Sequence, residues 1–325
     1  MKPVIGCLGA GRMGRGIAVV FAFAGHQVVV VDFKEREVSA FDALAAEVDA
    51  EIRSTLGILS RIGLMSPDLL DVIADRITVV PLREAAATLP RCDVIFEGVP
   101  EVLALKQAAL AEASRLAGEG PIIASTTSTI LVDDLASAIE HPGRFLNAHW
   151  LNPAYLVPLI ELSPGKLTGP DTTARMKALL EGIGKVPVVC AARPGFIVPR
   201  IQTLAMNEAA RMVEEGVASA EDIDKAVIYG FGFRFAVLGL LEFIDWGGGD
   251  ILHHASRYLV EALGDSRYAA PDIIASNMRD GRIGMKTGQG FMNYDGVDQA
   301  AYREQRLAAF ASALRAMGLA RDPVA

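Results

Sequence analysis

Cysteine is scarce in this chain. Its three copies, Cys7, Cys92 and Cys190, lie far apart and form no CxxC pair. That spacing argues against a disulfide framework or a zinc site and fits a reducing compartment. Positive charge is also short, with 31 Lys and Arg against 39 Asp and Glu for a net charge of −8. Nucleic-acid binding, which rests on basic patches, is therefore not expected. Aromatic residues make up only 6% and charged residues 22%, against 51% hydrophobic residues. The apolar share is too high, and the charge too moderate, for a disordered chain. Long uninterrupted apolar runs are missing as well. The most apolar stretch, Gly16 to Val31, contains Gly25, His26 and Gln27. It reads as helix, turn and strand rather than as a membrane span of about 20 apolar residues. The N-terminal MKPVIGCLGAGRMG runs straight into a strand-like segment, with neither the apolar segment nor the cleavage site of a secretory signal. A soluble, cytoplasmic protein with no membrane partner is expected.

With 325 residues, the chain has length for one large or two ordinary domains, at roughly 100–200 residues each. Short apolar runs at 4–8, 26–32, 93–99, 121–125, 145–150 and 185–190 alternate with helical patterns at 34–55, 66–74, 104–117 and 171–184. Continuous β-branched runs suit strands covered on both faces, and their alternation with helices predicts a doubly wound, mainly parallel α/β sheet. After Cys190 strand-like runs become rare. Helical spacing runs from Ile197 to Gly216, and Ser219-Ala-Glu-Asp222 resembles a capping signal for a helix ending near Gly230. Further helical stretches cover about 236–264, 271–279 and 299–317. The expected organisation is a Rossmann-type domain over 1–190 and an all-helical domain over 191–325.

The first strand leads into Gly9-Ala10-Gly11-Arg12-Met13-Gly14, and a second strand ends at Asp32, eighteen residues beyond Gly14. In this context Gly9 allows a tight turn, Gly11 lets a pyrophosphate approach the backbone, and Gly14 lets the helix pack on the strand. The helix N-terminus then offers free N–H groups to the phosphates. A carboxylate at position 32 accepts hydrogen bonds from the adenosine ribose, so NAD is the expected cofactor. The competing reading is a helix-capping loop with a surface aspartate. Lys34 softens the preference against NADP slightly.

A second constellation is Ser128, His149, Asn152 and Glu161. An imidazole is well suited to exchange a proton near neutral pH, and a carboxylate on its other nitrogen fixes the tautomer. From the residues alone, His149 is more readily read as a satisfied, partly buried strand-end histidine. Glu161 is likewise readable as an ordinary strand-end carboxylate, and Ser128 as one hydroxyl among several.

Several ordered motifs extend the pattern. They are Glu97-Gly-Val-Pro-Glu101 with Lys106, Ala124-Ser-Thr-Thr-Ser128, His149-x-x-Asn152-Pro153, Pro194-Gly-Phe-Ile-Val198, Asp245, and Lys286-Thr-Gly-Gln-Gly290-Phe291. With the glycine turn and Asp32, they make the chain resemble the L-3-hydroxyacyl-CoA dehydrogenase superfamily over nearly its whole length. The family's Ser-to-His interval of twenty-one and His-to-Glu interval of twelve both recur. The resemblance implies that His149 is the general base, Glu161 its orienting partner and Ser128 a hydrogen-bond donor to the reacting oxygen. Asn152 then lines the nicotinamide and substrate region. Glu101 and Lys106 match family positions that contact the cofactor, and Lys286 one that reaches it from the second domain. A homodimer is also implied.

Two departures bear on the substrate. Pro199 stands where acyl-CoA members carry an asparagine, and Asn207, two helical turns on, is no simple substitute. In the insertion from Glu51 to Asp75 the only cations are Arg53 and Arg61, whereas acyl-CoA members tend to be lysine-rich there. The stretch Asn152 to Leu162 resembles L-gulonate dehydrogenase (the lambda-crystallin group) and carnitine dehydrogenase. Arg234 is then a candidate for binding a free substrate carboxylate, or else an ordinary surface arginine. The expected reaction is oxidation of a short L-3-hydroxyacyl-CoA of the 3-hydroxybutyryl type, with a small non-CoA hydroxy acid as the alternative. A third reading is an NAD-binding protein that keeps the fold without turnover. The remaining histidines lack partners at metal-ligand spacing, so no metal is assigned.

Overall fold

The computed structural model describes residues 1–323. These form two compact units, Met1–Ala205 and the described residues from Met206 onward, each taken by itself below. Among the described residues no single helix is long and apolar enough to cross a membrane.

The first unit is built on one eight-stranded sheet. Its elements in chain order are β1 (Ile5–Leu8), α1 (Arg12–Phe23), β2 (Val28–Asp32), α2 (Val38–Arg61), β3 (Ile77–Pro81), β4 (Val94–Glu97), α3 (Leu103–Ala117), β5 (Ile122–Ser125), β6 (Phe145–Trp150), β7 (Leu159–Pro164), α4 (Pro170–Gly182) and β8 (Val186–Val189). The helix α5 (Val198–Glu214) follows. The strand order is β3-β2-β1-β4-β5-β6-β7-β8. Strands β1 to β6 are mutually parallel, whereas β7 runs antiparallel to β6 and β8 runs with β7. This is the doubly wound, mainly parallel sheet expected from the alternating pattern.

Because successive strand residues point to opposite faces, strands β1 to β6 each feed two core layers. Cys7, Val30, Phe96 and Ala148 pack with α1, α2 and α4 residues such as Ile17, Leu56 and Met176. Leu8, Val31 and Ile95 pack on the other face with Leu110 and Ala113 of α3. Burial pushes the thiol of Cys7 far up and that of Cys92 to about 11, so neither is a ready nucleophile.

All six strands expected from the sequence are present, and two more join them. β3 is an edge strand with a half-exposed pattern, so it lacks the continuous apolar run that marks its buried neighbours. β7 follows the Val157-Pro-Leu segment, and its reversed direction closes a hairpin-like return from β6. Edge strand β8 accommodates Pro187, where one side of the ladder needs no donor.

In the second unit, Ser219 caps α6 (Ala220–Ala226) by accepting from the Asp222 amide, as its sequence suggests. The helix does not stop at Gly230. It continues through a π-helical turn, Val227–Gly232, to Phe235. The expected helical stretch over 236–264 is two helices, α7 (Leu240–Gly247) and α8 (Gly249–Leu263). They break at Gly248, whose φ of 106° no β-carbon tolerates easily. Helices α9 (Asp272–Arg279) and α10 (Gln299–Ala316) complete the unit. Buried Asp245 accepts from the Phe291 and Met292 amides at 2.9 and 2.7 Å. The Gly290 turn lies directly against that carboxylate, which accounts structurally for the glycine after Gln289.

A β-carbon on Gly14 would collide with the Gly9 carbonyl oxygen. That oxygen is backbone and cannot swing away, so α1 would have to lift from β1. Gly14→Ala is expected to lower stability by about 1–3 kcal/mol, read as an earlier urea unfolding midpoint.

Candidate active site

The antiparallel register of β6 and β7 places His149 directly opposite Glu161. Residues opposed in this way carry side chains within contact distance, and here Nδ1 of His149 lies 2.8 Å from Oε2 of Glu161. Both side chains are buried. The second carboxylate oxygen, Oε1, accepts the backbone N–H groups of Ile197 and Val198, each at 2.8 Å. Burial alone raises the Glu161 carboxyl, but the hydrogen bonds from His149, Val198 and Ile197 outweigh it and hold the group below its ordinary range. With an ionised carboxylate on Nδ1, that nitrogen donates and Nε2 is the free basic nitrogen.

Phe196 stacks on the imidazole, with ring centroids 5.2 Å apart and planes 13° from parallel. It is buried and is the one non-glycine residue with positive φ among those described, at 44°. A left-handed phenylalanine is strained, and the Glu161 bonds to the next two amides hold the chain in that bend. In the sequence, Phe196 stands out only as part of the Pro194–Val198 motif.

Ser128 sits half-buried on the loop after β5, the strand beside β6. One carboxylate organises that loop. Oε1 of Glu101 accepts from the Ser128 and Thr129 amides at 3.0 and 3.1 Å, and from the Thr127 and Thr129 hydroxyls. Burial raises the Glu101 carboxyl, and the Thr127 bond, Lys106 and the other donors outweigh it to leave the group lowered. Lys106 is fully buried. Its ammonium donates to both oxygens of buried Glu97, at 2.9 and 3.2 Å, and to the Val99 carbonyl at 3.1 Å. It also pairs with Glu101 at 3.3 Å. Lys106 thus acts on the loop through Glu97 and Glu101.

At the carboxyl ends of β1 and β4, where the strand order reverses, lies a cavity of about 680 Å³. Such switch points are the ligand crevices of doubly wound sheets. Its lining includes Gly9, Gly11, Asp32, Lys34, Arg36 and Gly98. Gly9 has φ 94°, and a β-carbon there would meet the Gly98 carbonyl oxygen at 3.2 Å. A β-carbon on Gly11 would meet no protein atom within 4 Å, so the backbone at Gly11 borders open space. The turn therefore fits a dinucleotide whose pyrophosphate approaches the α1 N-terminus. Met13 lies beyond, packed against the core.

Asn152 is exposed and lines a separate cavity of about 350 Å³ with Arg12, Arg15, Glu51, Thr55 and Tyr155. Arg15 is bound there by Glu47 and Glu51. In the second unit, Lys286 pairs with Asp250 at 2.6 Å. Arg234 is exposed; its Nε donates to the Gly230 carbonyl at 3.1 Å, and its guanidinium lies 5.4 Å from the Phe243 ring centre.

Comparison with known proteins agrees with this architecture. Residues 4–193 match the family model of the 3-hydroxyacyl-CoA dehydrogenase NAD-binding domain, and residues 195–294 match that of the same family's C-terminal domain. A 5-formyl-3-hydroxy-2-methylpyridine 4-carboxylate 5-dehydrogenase from Mesorhizobium japonicum is 30% identical over 93% of this chain and 94% of its own. A probable 3-hydroxybutyryl-CoA dehydrogenase from Deinococcus radiodurans is 32% identical over 89% of this chain and 99% of its own. Among solved structures, a 3-hydroxyacyl-CoA dehydrogenase from Archaeoglobus fulgidus superposes with a TM-score of 0.75 at 31% identity, covering 98% of this chain and 100% of the other. The chain belongs to the 3-hydroxyacyl-CoA dehydrogenase family and is an NAD-dependent oxidoreductase.

Proposed function

We propose that the protein oxidises the 3-hydroxyl of a short L-3-hydroxyacyl-CoA, of the 3-hydroxybutyryl type, to the 3-keto compound. The observation that carries the hydroxyl oxidation is the buried His149–Glu161 pair, and similarity to the probable 3-hydroxybutyryl-CoA dehydrogenase supports the substrate. Nε2 of His149 takes the hydroxyl proton, and Glu161, held by two backbone amides, keeps the ring oriented and stabilises the imidazolium. Ser128 donates to the oxygen on which charge develops, and Asn152 lines the reacting region. Bound NAD supplies the hydride acceptor. Gly9 and Gly11 would border its phosphates, with Arg12, Met13 and Gly14 carrying the turn on into α1, Asp32 would take the adenosine ribose, and Glu101 shapes the loop after β5. Lys286, paired with Asp250 in the second unit, is the cofactor-binding candidate there. A homodimer belongs to the same proposal, supported by the exposed apolar side chains of the second unit such as Met206, Tyr229, Phe231 and Tyr258.

A second reading, a free hydroxy acid as substrate, is favoured by one observation. Arg53, the cation of the insertion nearest its start, is tied to Asp49, Asp71 and Asp75, so it offers little to CoA phosphates. The Mesorhizobium relative is named for a pyridine carboxylate, and Arg234 is the carboxylate-binding candidate.

NADH formation from NAD with L-3-hydroxybutyryl-CoA, free 3-hydroxybutyrate, carnitine and L-gulonate tests both. Turnover of the thioester alone is expected. Turnover of a free acid that is lost in Arg234→Ala would replace the substrate while keeping the His149–Glu161 chemistry. On whichever substrate turns over, His149→Ala is expected to lower kcat roughly 10²–10⁴-fold, and an unchanged kcat would remove the base assignment.

The depressed Glu161 carboxyl also ties stability to pH. Its folded value lies below the unfolded one, so its contribution is complete above the ordinary glutamate value of about 4.3. The contribution is lost as pH falls through the depressed value. The stability advantage of the wild type over Glu161→Gln is therefore expected to shrink between pH 7 and pH values below about 4, in urea midpoints measured across that range.

A further inference from the structure

The ribose-binding carboxylate is not free. Asp32 is buried at the end of β2, and Oδ2 lies 2.6 Å from Nε of Arg36, four residues on. A bare carboxylate at this position repels a 2′-phosphate, while an arginine nearby accommodates one. This chain has both, and they are bonded to each other. Nε uses one edge of the guanidinium, and the Nη1–Nη2 edge has no other hydrogen-bond partner among the described residues. That edge is the one that grips a phosphate with two parallel bonds.

Two cavities meet at this point. Lys34, Arg36 and Leu82 line both the dinucleotide cavity and an adjoining one of about 500 Å³. The second is completed by Glu35, Glu37, Pro81 and Arg83. The charges facing it are thus the cations Lys34, Arg36 and Arg83 and the anions Glu35 and Glu37, with Asp32 at the boundary. Glu35 and Glu37 are exposed to solvent, as Lys34 and Arg36 are, so salt screens both signs. The buried anion is Asp32, and it is neutralised in place.

We propose that the protein binds NADP(H) as a second cofactor, with Arg36, anchored on Asp32, and Lys34 receiving the 2′-phosphate in the adjoining cavity. Asp32 still accepts the ribose hydroxyl of NAD(H) through its remaining oxygen, so neither dinucleotide is excluded. The inference rests on the dinucleotide cavity and is independent of which hydroxy substrate is oxidised.

The test is a fluorescence titration of the purified protein with NADH and with NADPH, without substrate. The wild-type Kd for NADPH is expected within about thirtyfold of that for NADH, and to rise more steeply with added KCl because an extra charge contact is screened. Arg36→Ala is expected to raise the NADPH-to-NADH Kd ratio at least tenfold, since it removes the phosphate donor and unmasks the Asp32 charge. Lys34→Ala leaves the Asp32–Arg36 pair intact and is expected to raise the ratio at least threefold, so it decides the matter where Arg36→Ala fails to fold. A wild-type ratio above thirty overturns the proposal. So does a ratio left unchanged in the folded Arg36→Ala protein or, where that protein does not fold, in Lys34→Ala. If NADH itself fails to bind the wild type, the dinucleotide reading falls, and this proposal with it.

Discussion

A buried carboxylate needs donors for its lone pairs, and Glu161 finds three on two different parts of the chain. One is His149 on the neighbouring strand, and two are the backbone amides of Ile197 and Val198 at the start of α5. The charge that orients the imidazole is therefore also the charge that fixes where α5 begins. The bend at Phe196 follows from this anchoring, and through it the ring that stacks on His149. Removing the carboxylate would leave two amides and a histidine nitrogen unsatisfied at once. His149, Glu161 and Phe196 thus form one unit rather than three separate residues.

A second buried charge set organises the loop that carries Ser128. Glu97 and Lys106 neutralise each other in the core, and the remaining reach of Lys106 fixes Glu101. Glu101 in turn collects the amides and hydroxyls of residues 127–129. Buried pairs of this kind seldom add much net stability, because desolvation offsets their attraction. Their effect here is positional. They hold the loop after β5 in one conformation beside the strand that carries the histidine, so a hydroxyl is presented without reorganisation.

How much of this was legible in the sequence differs from element to element. The buried parallel strands were readable because a strand covered by helices on both faces needs apolar side chains at every position, and short Val and Ile runs meet that need. β3 was not, since an edge strand with one face open lacks such a run. The break at Gly248 and the continuation past Gly230 were also hidden, because helical periodicity on both sides carries across a local change of backbone. At the site, the twelve-residue interval from His149 to Glu161 becomes intelligible once β7 is seen to fold back on β6. The stack of Phe196 and the Glu97–Lys106 pair depend on contacts between strands and loops, for which a single sequence offers no periodic signal. The Asp32–Arg36 pair did have one, an acidic and a basic residue four apart, but it lies after a strand rather than within a helix, where that spacing is usually read.

Pro199 shows how the same constraint tolerates change. A helix start leaves its first N–H groups without helical partners. Here Val198 donates to Glu161, Arg200 to the Gly195 carbonyl, and Ile201 to the Ile197 carbonyl. The position between Val198 and Arg200 is the one whose amide no element of the site calls on, and proline supplies none. The fold and the His149–Glu161 pair are thus indifferent to this substitution. What proline withholds at this position is a polar side chain and an N–H, and neither is among the groups that hold Glu161 or His149.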